Sequence, residues 1–231
     1  MLGAFIPVDP GPASQGCQWM LFSASQAAAC RQLVLRPKAR FPKGGHMGNT
    51  ATLRNGVNVE DLTNLVSRVK ANPALGRFQF RSKAKWINRA HCQSTFDSLY
   101  GGGMDHKRGT PLFMEADEPA ALLGTDLAPN AGEAALHALS SCMSVTYAYT
   151  AAAMGIDITS LSFELETDSD LRGFMELDKA IRPGLSQIRV KVNLDCNGTP
   201  QQIKDLHDQV LRTSPLYDTF RNPVDIMVTT G

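Results

Sequence analysis

Apolar positions at Val59, Leu62, Leu65, Val66 and Val69 recur every three or four residues, which predicts a helix opening at Asn58 and stopping near Asn72-Pro73. Asn58 is a capping residue, and Glu60 and Asp61 suit the positive helix end. Two strand-like runs follow, Phe78–Ile87 and Ala90–Tyr100, and Gly101-Gly102-Gly103 closes the second. Pro111–Ala116 predicts a short third strand, and Asp117 to Ala131 reads as loop. A long helix from about Gly132 to Met154 ends on Gly155. Strands are expected over Asp157–Thr167 and Leu185–Leu194. Thr199-Pro200 starts a helix with Ile203, Leu206, Val210 and Leu211 on one face, and Ser214-Pro215 starts a shorter one that Ser214 should cap. Pro223–Thr229 predicts a closing strand. Helices and strands segregate instead of alternating, so the class is α+β.

Residues 1–46 break this pattern. They hold Pro7, Pro10, Pro12, Pro37 and Pro42, and no helical or strand period is sustained. They read as a disordered arm. They also read as a segment ahead of the true start, because Lys43-Gly44-Gly45-His46 directly precedes Met47 and Lys-Gly-Gly codons can spell a purine-rich ribosome-binding site. Residues 47–76 then form an N-terminal helix arm and 77–231 the main domain.

Charge changes the picture by exclusion. Lys plus Arg is 23 and Asp plus Glu is 22, a net charge of +1, which excludes a polybasic nucleic-acid binder and argues against a membrane clamp. The first residues lack the basic start and apolar run of a secretory leader. Ala134 to Ile156 carries no Asp, Glu, Lys or Arg, yet its Ser, Thr, Tyr and His content suits a helix buried in a soluble protein better than one facing lipid. The expected location is the cytoplasm. Five cysteines with no Cys-x-x-Cys exclude a disulfide scaffold and a zinc ribbon.

Candidate chemistry concentrates on the long helix. Cys142 shares a wheel face with Ala135, Ala138, Leu139, Val145 and Tyr149, so composition alone reads it as a small buried hydrophobe. Glu133, His137 and Ser141 line another side at intervals of four and read as a polar seam of a buried bundle; one straight helix holds such groups too far apart to converge as a triad. Gly101-Gly-Gly-Met lacks the Lys-Ser/Thr tail of a phosphate loop. His91 and Cys92 are neighbours on a strand and point to opposite faces. Asp168, Asp170 and Asp178 read as a solvated connector, and Cys196 as an exposed turn residue.

Several separated stretches resemble the OsmC/Ohr family. They are Asp117-Glu-Pro-Ala-Ala-Leu-Leu-Gly-Thr-Asp, Pro129-Asn-Ala-Gly-Glu-Ala-Ala-Leu-His-Ala-Leu-Ser-Ser-Cys142, Met154-Gly-Ile-Asp-Ile, Asp170-Leu-Arg-Gly, Arg182-Pro-Gly before Ile188-Arg-Val, and Ser214-Pro-Leu-Tyr-Asp-Thr-Phe. They run in order from about Phe78 to Thr229. The resemblance implies curved antiparallel sheets wrapped around two central helices in an intertwined homodimer, with sites between subunits. It implies a thiol-dependent organic hydroperoxide reductase of oxidative-stress defence, with no cofactor and no metal. Its partners would be a second copy, the organic hydroperoxide and an external thiol, with neither nucleic acid nor membrane.

By position in that resemblance, Cys142 is the peroxidatic cysteine, which attacks the O–O bond and becomes a sulfenic acid. The family's second cysteine is replaced by Ser214, which cannot form a disulfide. The family's glutamate falls on Gly132, which leaves Glu133, about 100° around the helix, as the nearest acid. The family's arginine matches no motif here; Arg89 of the early hairpin is the nearest candidate, and a surface arginine on a strand is its other reading. Two functions follow: a one-cysteine peroxidase served by an external thiol, or a non-catalytic, ligand-binding relative that keeps the dimer.

Overall fold

The computed structural model describes residues 53–231. Both readings of residues 1–46 therefore lie outside the described residues. Leu53–Arg54 (β1) and Val57–Asn58 (β2) form a tiny hairpin whose turn residues Asn55 and Gly56 both have positive φ. Helix α1, Val59–Ala71, starts where Asn58 Oδ1 accepts from the amides of Glu60 and Asp61, as its sequence predicts.

The first sheet comprises Gln79–Phe80 (β3), Lys83–Asn88 (β4), His91–Gly101 (β5) and Met104–Ala116 (β6), all antiparallel to the central β5. β6 is far longer than the short strand expected at Pro111–Ala116. Gly102 and Gly103 at φ +60° and +89° turn the chain tightly enough for Met104 to pair at once with Gly101. Pairing then carries through the polar residues of β6, which have no strand pattern of their own.

Across this sheet, register places Trp86 opposite Cys92, Ser94 opposite Met114 and Phe96 opposite Leu112, so one face is apolar. Among the described residues nothing covers that face: Trp86 is 71% exposed, Leu112 56% and Met114 47%.

The core lies in the other half. Helix α2, Ala131–Met154, opens on a full capping box between Asn130 and Glu133 and closes on Gly155 at φ +78°. Its buried stripe is Leu139, Met143, Tyr147 and Ala151, one residue per turn. Strands Ile158–Thr167 (β7) and Ile188–Cys196 (β8) pair antiparallel and lay Phe163, Leu165, Val190 and Val192 against that stripe. Between them Asp170 caps the short α3, Leu171–Phe174, and also holds Arg172; Asp168 holds Arg189.

Helix α4, Pro200–Thr213, closes the core with Leu206 and Val210. The fully buried Tyr147 phenol hydrogen-bonds His207 Nδ1 at 2.5 Å, and burial pushes it up to about 12. Helix α5, Pro215–Arg221, follows directly.

Two expectations fail here. Pro223–Thr229 forms no strand, because no neighbouring backbone within the described chain pairs with it. Cys196 is half-buried against the core, because strand alternation continues inward from Val192 and Leu194. The α+β class stands: antiparallel sheets and separate helices. No helix among the described residues is long and apolar enough to cross a membrane.

Candidate functional site around Cys142

Cys142 follows the buried Leu139 by three residues and precedes Met143, which puts its side chain at the edge of the stripe. It is half-buried, not sealed. The face it was expected to share is mixed, since Val145 and Tyr149 are about half exposed at 52% and 47%. Two donors converge on its sulfur: Ser214 Oγ at 3.5 Å and the Leu216 amide at 3.4 Å.

Both donors come from the junction of α4 and α5. Ser214 stands at the N-cap position of α5, yet its side chain makes no cap hydrogen bond. Ser214 is 1% exposed, and its hydroxyl donates a hydrogen bond to the sulfur instead. The expectation that Ser214 caps the helix is thereby corrected. The Leu216 amide, the second of α5 and one that a capping side chain would take, donates to the sulfur as well. A charged sulfur accepts such bonds more strongly than a neutral one.

The other sequence-derived candidates do not join Cys142. Glu133 is nine residues earlier on the same helix, about 13 Å along its axis. Its carboxylate accepts from the Asn130 amide at 2.9 Å, which is a capping role. Arg89 lies exposed in the β4–β5 turn at φ +44°, where its carbonyl accepts from Trp86 Nε1. Its guanidinium contacts neither Cys142 nor Glu133 among the described residues. Glu133, His137 and Ser141 are exposed, not a buried seam; Ser141 Oγ and His137 Nε2 are 3.4 Å apart and Glu133 does not approach them. Among the described residues no cluster of His, Cys, Asp or Glu has the makings of a metal site.

Reasoning from sequence missed two arginines. A cleft of about 530 Å³ opens one turn from Cys142, with Leu139, Ile188 and Val190 along its apolar side and Tyr217 and Phe220 across it. Arg182 and Arg221 both line it. Arg182 donates to the Leu185 carbonyl. Arg221 donates to the Tyr217 hydroxyl at 3.0 Å and lies 5.6 Å over that ring. Arg182 stood in a recognised motif, Arg182-Pro-Gly, but nothing in its spacing marked it as facing α5.

Residues 124–229 match the family model of OsmC-like protein. This stretch is an OsmC-like domain. It takes in Cys142, Ser214 and both cleft arginines, whereas the β3–β6 sheet lies ahead of the matched residues. Curated proteins give no match. Among solved structures, the chain is similar to an OsmC-like protein from Mycoplasma pneumoniae, at 16% identity over 63% of this chain and 89% of that one, TM-score 0.48. It is also similar to an organic hydroperoxide resistance protein OsmC from Legionella pneumophila, at 14% identity over 63% and 93%, TM-score 0.40. A third is the organic hydroperoxide resistance protein OhrB of Bacillus subtilis, at 16% identity over 63% and 94%, TM-score 0.38.

Proposed function

We propose that the OsmC-like domain is a one-cysteine thiol peroxidase for organic hydroperoxides, with Cys142 as its nucleophile. The observation that carries this reading is the pair of donors, Ser214 Oγ and Leu216 N–H, aimed at a half-buried sulfur one helical turn from Leu139, which lines the cleft. In the reaction the thiolate attacks the distal peroxide oxygen and the O–O bond breaks. The alkoxide takes a proton and leaves as alcohol, and Cys142 becomes a sulfenic acid. An external thiol condenses with that acid, releasing water and forming a mixed disulfide. A second thiol then releases Cys142 and leaves as the oxidised disulfide.

Glu133 and Arg89 remain the positions that the family resemblance offers for the assisting acid and arginine; within one chain each is held elsewhere, at the α2 cap and in the β4–β5 turn. A second copy of the chain fits the sheet face that the described residues leave uncovered. Large apolar side chains gain about 1.5–3 kcal/mol each on burial, so Trp86, Leu112 and Met114 would drive association. Light scattering of the full chain is expected to give twice the mass of one chain, and Trp86→Asp is expected to shift it to one. A monomer in the unaltered protein would refute this association.

The direct test of the chemistry is stoichiometric cumene hydroperoxide followed by peptide mass. One oxygen on the Cys142 peptide supports the reading, and an unchanged Cys142 sinks it. A second reading, a non-catalytic ligand-binding relative, is favoured by Gly132 and Ser214, which stand where the family's acid and second cysteine would be.

Ser214→Cys separates the two readings further. The hydroxyl already sits 3.5 Å from the sulfur, so one peroxide equivalent should link positions 142 and 214 by a disulfide in that variant. A sulfenic acid that persists, trapped by dimedone, would show that the two positions do not meet.

A further inference from the structure

We propose that the cleft between β8 and α5 binds an amphipathic carboxylate, with the acid head on Arg182 and Arg221 and the chain along Leu139, Ile188 and Val190. This goes beyond the peroxidase reading, because it requires no reactivity at Cys142.

The cleft is about 530 Å³, inside the roughly 300–1,000 Å³ range of small-molecule sites. Its floor is apolar, and Leu139 is only 3% exposed. Its two charged side chains carry the same sign, and among the described residues neither forms an ion pair. Carboxylates on the surrounding elements are engaged elsewhere. Glu133 accepts from the Asn130 amide. Asp168 pairs with Arg189, and Asp218 accepts from Asn222 Nδ2 at 2.8 Å. Among the described residues, then, no carboxylate stands within ion-pair distance of the two guanidiniums beside this apolar wall.

A planar guanidinium fork suits a carboxylate, and apolar walls strengthen the attraction. The contacts already made by the two arginines orient them without satisfying their charge. Arg182 is tied to the Leu185 carbonyl and Arg221 is stacked on Tyr217. A neutral amphiphile would occupy the same wall but leave the two cations unpaired, so head-group charge is what the site should select.

The probes are decanoate, decanol and decylamine, titrated calorimetrically into the full chain carrying Cys142→Ser. That variant cannot turn over a peroxide, so binding and peroxidase chemistry are read separately. Decanoate is expected to bind at least about tenfold more tightly than decanol, with decylamine weakest. Arg221→Gln should weaken decanoate about tenfold and leave decanol unchanged. Among the described residues the Arg221 side chain bonds only within α5, and its variant's thermal midpoint verifies folding. Arg182→Gln should act in the same direction. Equal affinity for decanoate and decanol, or undiminished decanoate binding by Arg221→Gln, overturns the proposal.

Discussion

Cys142→Ser is expected to lower kcat/KM for cumene hydroperoxide by at least about 10³-fold, to the level of buffer plus thiol. Serine keeps the size and still accepts from Ser214 and Leu216, so folding should survive. What it lacks is a polarisable anion near neutral pH, and a hydroxyl does not cleave an O–O bond under these conditions. The unaltered protein should give linear turnover with a small thiol, whereas the variant gives none at equal concentration. If both consume peroxide at one rate, Cys142 is not the nucleophile. The same pair of proteins gives a second readout: thermal midpoints within a few degrees of each other would assign the loss to chemistry.

The second large effect concerns stability. Gly124→Ala is expected to destabilise the fold by about 3 kcal/mol or more, read by chemical denaturation. A Cβ at that position would lie 1.7 Å from the Glu118 carbonyl oxygen, and the obstacle is backbone that cannot swing aside. The loop from Asp117 to Asn130 depends on that close approach. Asp117 is 2% exposed, and its carboxylate accepts from the Thr125 hydroxyl and from the amides of Glu118, Thr125 and Leu127. The loop delivers Asn130 to the start of α2, so an error at Gly124 is passed to the helix that carries Cys142.

This loop also sets an acid limit. The Thr125 hydroxyl, with the three backbone amides, holds the Asp117 carboxyl at about 2, against the opposing effect of burial. Folded Asp117 thus binds its proton less readily than the unfolded group at about 3.9. Its stabilising effect is complete above that value and fades as pH falls towards 2. Asp117→Asn presents an amide to several donors, so it should lower the thermal midpoint at neutral pH. The gap to the unaltered protein should then narrow between pH 4 and 2. A gap that stays constant across that interval would show that the carboxylate charge is not what organises the loop.

Much of this architecture was legible in the order of residues, and for local reasons. Asn58, Asn130, Gly155 and Thr199 mark helix ends because capping satisfies orphaned backbone groups within one turn of chain. The alternation from Ile158 to Thr167 reports a strand because its side chains must separate core from water. The OsmC-like domain was legible too, since its motifs keep their order through 124–229. Other features depend on distant partners and had no local signal. The length of β6 came from pairing with β5, and the failed strand at Pro223–Thr229 from the lack of any such pairing among the described residues. The role of Ser214 changed from cap to sulfur donor because α5 folds back onto α2, 72 residues away in sequence. Arg182 and Arg221 share one cleft for the same reason. Caps, turns and periodicities act over a few bonds, whereas convergence of side chains is set by how helices and strands pack, and that geometry is written in no single stretch of the chain.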